Sequence, residues 1–169
     1  ILVFPLNSWA LIEVDITRGN LNPLPVAVSP LSIDENSRKN FEKILNNSDI
    51  GSEISAIVEN NLKTSGLFNP LNKDAFLQAP DIANLKPRFE DWSLIKAQAL
   101  ITGKVNFIDK KLRVEFRLWD VLAGKEILAL AFTTVPTNWR RVGHIITDKV
   151  YERLTGEKGY YDTRIVYVA

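Results

Sequence analysis

The chain has 169 residues, 46% of them hydrophobic, with 21 lysines and arginines against 20 aspartates and glutamates for a formal charge of +1. It has no cysteine and one histidine, which excludes disulfides, thiolate chemistry, Cys-ligated zinc and His-rich metal sites. One domain with a real core is expected; the balanced charge gives no bulk attraction for nucleic acid, and no run reaches the ~18 apolar residues that span a bilayer.

Residues 1–10 are apolar and end in Ser8-Trp9-Ala10, the small-x-small pattern of a signal-peptidase site. They are read as the tail of a signal peptide, with the mature protein beginning near Leu11. The bland alternative is a hydrophobic N-terminal strand. In residues 11–17, Ile12, Val14 and Ile16 alternate with Glu13, Asp15 and Thr17, and Arg18-Gly19-Asn20 stops the run. This is a half-buried strand. A terminal strand can pair with a partner's sheet edge, but the pattern alone favours a strand that stays in its own sheet.

Val26-Ala27-Val28, flanked by prolines, is a short buried strand. Residues 32–47 are polar with scattered apolar positions (Ile33, Phe41, Ile44, Leu45) and read as loop with one or two helical turns. Ile50, Ile54, Ile57, Val58 and Leu62 form a helical stripe, capped by Ser48 or Asp49 and closed by Gly66. Residues 67–87 are punctuated by Pro and Asn and read as irregular, anchored by Phe68, Leu71 and Phe76. A short helix over residues 89–97 buries Trp92 and Ile95. Residues 99–108, 111–121 and 125–135 then make an antiparallel meander. In its middle strand Leu112, Val114, Phe116 and Leu118 alternate with Lys111, Arg113, Glu115 and Arg117.

Pro136 ends the sheet. A helix follows in which Trp139, Val142, Ile146, Val150 and Leu154 share one face, with Thr137 as N-cap and Gly156 as C-terminal stop. Beyond the turn at Gly159-Tyr160-Tyr161, Arg164-Ile165-Val166-Tyr167-Val168 reads as a strand. The order β, β, α, β-β-β, α predicts an α/β domain with helices packed on one small mixed sheet.

No catalytic constellation stands out: the carboxylates are scattered, and no glycine-rich phosphate loop, nucleophile elbow or metal motif is present. His144 reads as a solvated or hydrogen-bonded helix residue. Trp139-Arg140-Arg141 could stack a base and grip phosphates, though a buried Trp beside two solvated arginines is the commoner arrangement.

Several runs together resemble a known family. They are Trp139-Arg140-Arg141-Val142-Gly143-His144, the stretch from Asp148 to Gly156, Asp162-Thr163-Arg164-Ile165-Val166-Tyr167-Val168, and Asn61-Leu62-Lys63-Thr64-Ser65-Gly66-Leu67-Phe68-Asn69-Pro70-Leu71. They resemble the N-terminal domain of the TolB family, periplasmic proteins of the Tol–Pal system of Gram-negative bacteria. The resemblance covers nearly all of residues 11–169. Residues 32–48 look longer and more charged than the family's, and the family's β-propeller is missing.

The resemblance implies a fold similar to the anticodon-binding domain of class II aminoacyl-tRNA synthetases, without RNA function. It divides the chain into a signal-peptide tail (1–10), the α/β domain (11–158) and a linker with the propeller's first strand (159–169). It implies a non-enzymatic, monomeric, periplasmic protein with no cofactor, no metal, no nucleic-acid partner and no membrane insertion, which supports outer-membrane integrity and constriction during division. Its partners would be the C-terminal domain of TolA, met by the mature N-terminal segment, and Pal, met by the propeller. The TolA-binding residues would be Leu11, Ile12, Glu13, Val14, Asp15, Ile16 and Thr17, acting by strand addition. An RNA-binding module of anticodon-domain type and a cell-envelope lipoprotein domain outside the Tol system are the competing readings.

Overall fold

The computed structural model describes Ile12 and residues 22–163. Its strands are β1 (Leu24–Val28), β2 (Ser32–Ile33), β3 (Phe68–Pro70), β4 (Ala99–Ile108), β5 (Lys111–Asp120) and β6 (Lys125–Thr134). They form one sheet in the order β3-β1-β4-β5-β6, with β2 also beside β4. β1 runs parallel to both β3 and β4, while β4, β5 and β6 form the expected antiparallel meander. The β4–β5 hairpin turns through Asp109 and Lys110, both at positive φ (51° and 60°). That is the pairing a two-residue turn needs to follow the twist of its strands.

Alternation along the strands divides the core in two. Val26 and Val28 point to one face and Ala27 to the other; Ile101 and Leu100 of β4 divide the same way. On the first face lie α1 (Glu35–Leu45), α2 (Ile50–Thr64) and α5 (Trp139–Thr155). There Phe41, Ile54, Val58, Val142, Ile146 and Val150 pack against Leu112, Val114, Phe116 and Leu118, all of them buried. The second face is covered over β1 and β4 by α3 (Pro80–Leu85) and α4 (Phe89–Leu94). Trp92 is its centre, 1% exposed, and its indole N–H donates to Gln78 Oε1 at 3.0 Å. The expected mixed-sheet α/β architecture is therefore present, with helices on both faces.

Three expectations need correction. Residues 32–47 hold β2 and an eleven-residue helix rather than a loop. Only Ser37 and Phe41 of α1 are buried, so its apolar stripe is too thin to show periodicity. Its ends specify it instead: Asp34 caps Ser37 N–H at 2.8 Å, and Asn46 closes it at φ 52°. Residues 67–87 hold edge strand β3, α3 and a 3-10 turn at Lys73–Ala75 rather than irregular chain. β3 is three residues long and contains Pro70, which sits where a sheet edge tolerates it. Finally, the N-cap of α5 is Asn138, because Pro136–Asn138 forms a 3-10 turn that takes up Thr137. The strands expected at residues 11–17 and 164–168 lie outside the described residues, except for Ile12.

Candidate partner-binding surface

Of the seven residues assigned to partner binding, Ile12 is described; Leu11, Glu13, Val14, Asp15, Ile16 and Thr17 lie outside the described residues. Ile12 donates its backbone N–H to Asp120 Oδ2 at 3.1 Å, and its side chain packs against the main core. Asp120 ends β5 and is 1% exposed. Its other oxygen accepts Ala123 N–H at 2.9 Å, which fixes the start of the β5–β6 turn. A buried carboxylate needs such partners, because desolvating it unpaired is costly. One carboxylate thus ties Ile12 to the end of the sheet. The reading from sequence did not single out Asp120. The signal was there: it continues the core-facing register of Leu112, Val114, Phe116 and Leu118, where a carboxylate has no packing role.

The other candidate groups are engaged within the domain. Trp139 is buried, and the Arg140 guanidinium lies over its ring, 4.2 Å from the centroid. Arg141 holds Asp162 with two N–H bonds of 2.8 and 3.0 Å. Arg141 is therefore already paired with a carboxylate where a phosphate would have to be gripped. His144 meets Asn61 across the α2–α5 packing, Nδ1 to Nδ2 at 2.9 Å, and Asn61 also donates to Thr147 Oγ1 at 3.1 Å.

The polar face of β5 pairs its charges in the same way. Arg113 and Lys104 meet Glu115 at 3.0 and 3.5 Å, and Arg117 meets Glu126 at 3.0 Å. Burial pushes the Glu115 carboxyl upward, but the Arg113 hydrogen bond and the Lys104 charge outweigh it and hold the group below its ordinary value. This face is a wet surface of mixed, mostly paired charge rather than a bare cationic stripe. Among the described residues no group of three or more His, Cys, Asp or Glu is placed to hold a metal ion. None of the described helices is long and apolar enough to cross a membrane.

The fold defines a small mixed-sheet α/β domain, with Ile12 held at one end of the sheet. The family described as the TolB amino-terminal domain matches residues 12–127, and the chain belongs to that family. The Tol-Pal system protein TolB of Pelagibacter ubique (strain HTCC1062) is 79% identical over 168 residues, 99% of this chain and 38% of the relative. The chain therefore spans well under half the length of that curated protein. The crystal structure of TolB from Acinetobacter baumannii superposes with a TM-score of 0.65 at 21% identity, over 83% of this chain and 30% of that one. That likeness establishes the shared fold.

Proposed function

We propose that this chain is the non-enzymatic interaction domain of a periplasmic Tol–Pal protein, and that residues 11–17 bind the C-terminal domain of TolA by adding a strand to its sheet. Family membership supports the system. The observation that carries the mechanism is the contact at Ile12, whose backbone N–H donates to Asp120 Oδ2 at 3.1 Å and whose side chain packs against the core. In strand addition, backbone hydrogen bonds supply affinity, and the alternating Ile12, Val14 and Ile16 supply selectivity through pockets on one face. Through TolA on one side and Pal on the other, the full protein would couple the two membranes and support outer-membrane integrity during constriction.

The pairing of Arg141 with Asp162 speaks against an RNA-binding role. Deletion of residues 11–17 is expected to abolish binding of the TolA C-terminal domain in calorimetric titration, while circular dichroism shows the domain still folded. Binding that survives in the folded deletion protein refutes the mechanism.

A further inference from the structure

The buried register of β5, carried by Leu112, Val114, Phe116 and Leu118, ends on a carboxylate, Asp120. It is 1% exposed, and its two donors among the described residues, Ile12 N–H at 3.1 Å and Ala123 N–H at 2.9 Å, are both uncharged. An ionised carboxylate offers about four acceptor positions, and burying its charge is costly unless a positive group answers it. Across the ladder Lys125 of β6 stands opposite Asp120 and is exposed. Glu126 beside it pairs with Arg117 at 3.0 Å. On β4 the opposite residue is Ala99. From α5, Arg153 reaches β6 and donates to Ile127 O at 3.0 Å. In the terminal segment Glu13 and Asp15 follow Ile12.

The sequence places another charge one residue from the Asp120 contact. Ser8-Trp9-Ala10 predicts signal-peptidase cleavage after Ala10, and the family match begins at residue 12, next to that point. Hydrolysis of the Ala10–Leu11 bond consumes one water and leaves a carboxylate on Ala10 and an ammonium on Leu11. Bond lengths and angles hold consecutive backbone nitrogens within about 3.7 Å of each other. Because Ile12 N already touches Oδ2, rotation about the single bonds of Leu11 brings its ammonium within hydrogen-bonding reach of the same carboxylate.

We propose that Asp120 is the receptor for the α-ammonium group that signal-peptide removal creates on Leu11. In the uncleaved chain that nitrogen is an uncharged peptide N–H, so the ion pair exists only after processing. A charge-assisted bond then joins the neutral one at Ile12, and maturation itself fastens the new terminus to the end of the sheet. The inference rests on reading residues 1–10 as the tail of a signal peptide and is independent of what residues 11–17 bind. An ordinary α-amine titrates near about 7.7–8.0. The pair raises the folded value, so its stabilisation is complete below about pH 7.7 and is lost as pH rises through that folded value.

The test compares three chains: residues 11–169 beginning at Leu11, the same chain with one glycine added ahead of Leu11, and the first chain carrying Asp120→Asn. The added glycine restores an uncharged N–H at Leu11 and leaves Lys125, Glu126 and Arg153 in place. The pH dependence of acetylation of the α-amine gives its pKa. It is expected to stand at least one unit above the ordinary value in the first chain and at the ordinary value in the other two. The first chain is also expected to melt several degrees above the glycine-extended one at pH 7, with the gap closing above about pH 10. An ordinary amine in the first chain, or one raised equally in the extended chain, would overturn the proposal. If Asp120→Asn fails to fold, the glycine extension decides alone. Export of residues 1–169 behind a completed basic leader, with the mass of the processed product, separates the two readings. A terminus elsewhere than Leu11 refutes the cleavage and the proposal with it, whereas a Leu11 terminus with an ordinary amine refutes the role of Asp120 alone.

Discussion

Asp120→Asn tests the tether between the N-terminal segment and the sheet. The substitution preserves shape, and Oδ1 can still accept Ala123 N–H, but an amide nitrogen replaces the oxygen that accepts from Ile12. A hydrogen bond to a charged group contributes about 1.5–3 kcal/mol. The Ile12 bond is 3.1 Å long and only part-buried, which argues for the lower end, about 1.5 kcal/mol, or roughly tenfold in the ratio of docked to released segment. If residues 11–17 must leave the domain to add to a partner's sheet, apparent affinity scales with the released fraction. Asp120→Asn is then expected to tighten binding of the TolA C-terminal domain by up to about tenfold. The ceiling is set by the affinity of a fully released segment. Calorimetric titration of the wild type and the variant gives the comparison directly. Unchanged or weakened binding, with the variant folded by circular dichroism, would refute the idea that docking and partner binding compete.

Two further predictions concern the scaffold. Gly143 lets α5 approach α2: a Cβ there would lie 2.8 Å from Ile57 Cγ2 and 3.0 Å from Ile57 Cβ. Overpacking costs about 1–3 kcal/mol against a helix-propensity gain near 1 kcal/mol, so Gly143→Ala is expected to destabilise by about 1 kcal/mol in urea unfolding. Ile57→Ala should remove most of that cost in the double variant, and simple additivity would count against the contact. Asp34 is expected to confer acid-sensitive stability. The Ser37 hydroxyl and then its backbone N–H, helped by Asn106, lower its carboxyl below the ordinary 3.8. Because the folded value is the lower one, the stabilisation is complete above about pH 4 and fades as pH falls through the folded value. Asp34→Ala should cost about 1 kcal/mol at neutral pH, as lost helix caps do. Asp34→Asn should retain most of the stability while flattening its fall in acid, and an unchanged acid limb would refute the assignment.

Wherever burial was dense and periodic, the sequence was enough. The stripe of α2, the meander and the apolar face of α5 were legible because each alternation or 3.6-residue period repeats often enough to outvote local noise. So was the left-handed stop at Gly156, which a single residue type specifies. Elements that bury one or two side chains were not legible in this way. α1 is fixed by Asp34 and Asn46 at its ends, and β3 by its parallel partner β1, from which β2, α1 and α2 separate it in the chain. The short helix over residues 89–97 was legible and is α4, but α3 was not, and that both cover the face Ala27 and Leu100 present was invisible, because no local pattern says which face receives cover.

The candidate site divides along the same line. The alternation of Ile12, Val14 and Ile16 is a property of the sequence itself, as are the absence of thiol chemistry and the motifs that carry family membership. That Ile12 meets Asp120, that Asn61 meets His144 and Thr147, and that Arg141 holds Asp162 are contacts between residues far apart in the chain. Local sequence sets which faces are apolar and where helices stop, because those depend on neighbours a few residues away. Which carboxylate finds which amide depends on how the layers stack, and that is decided only when the whole core closes.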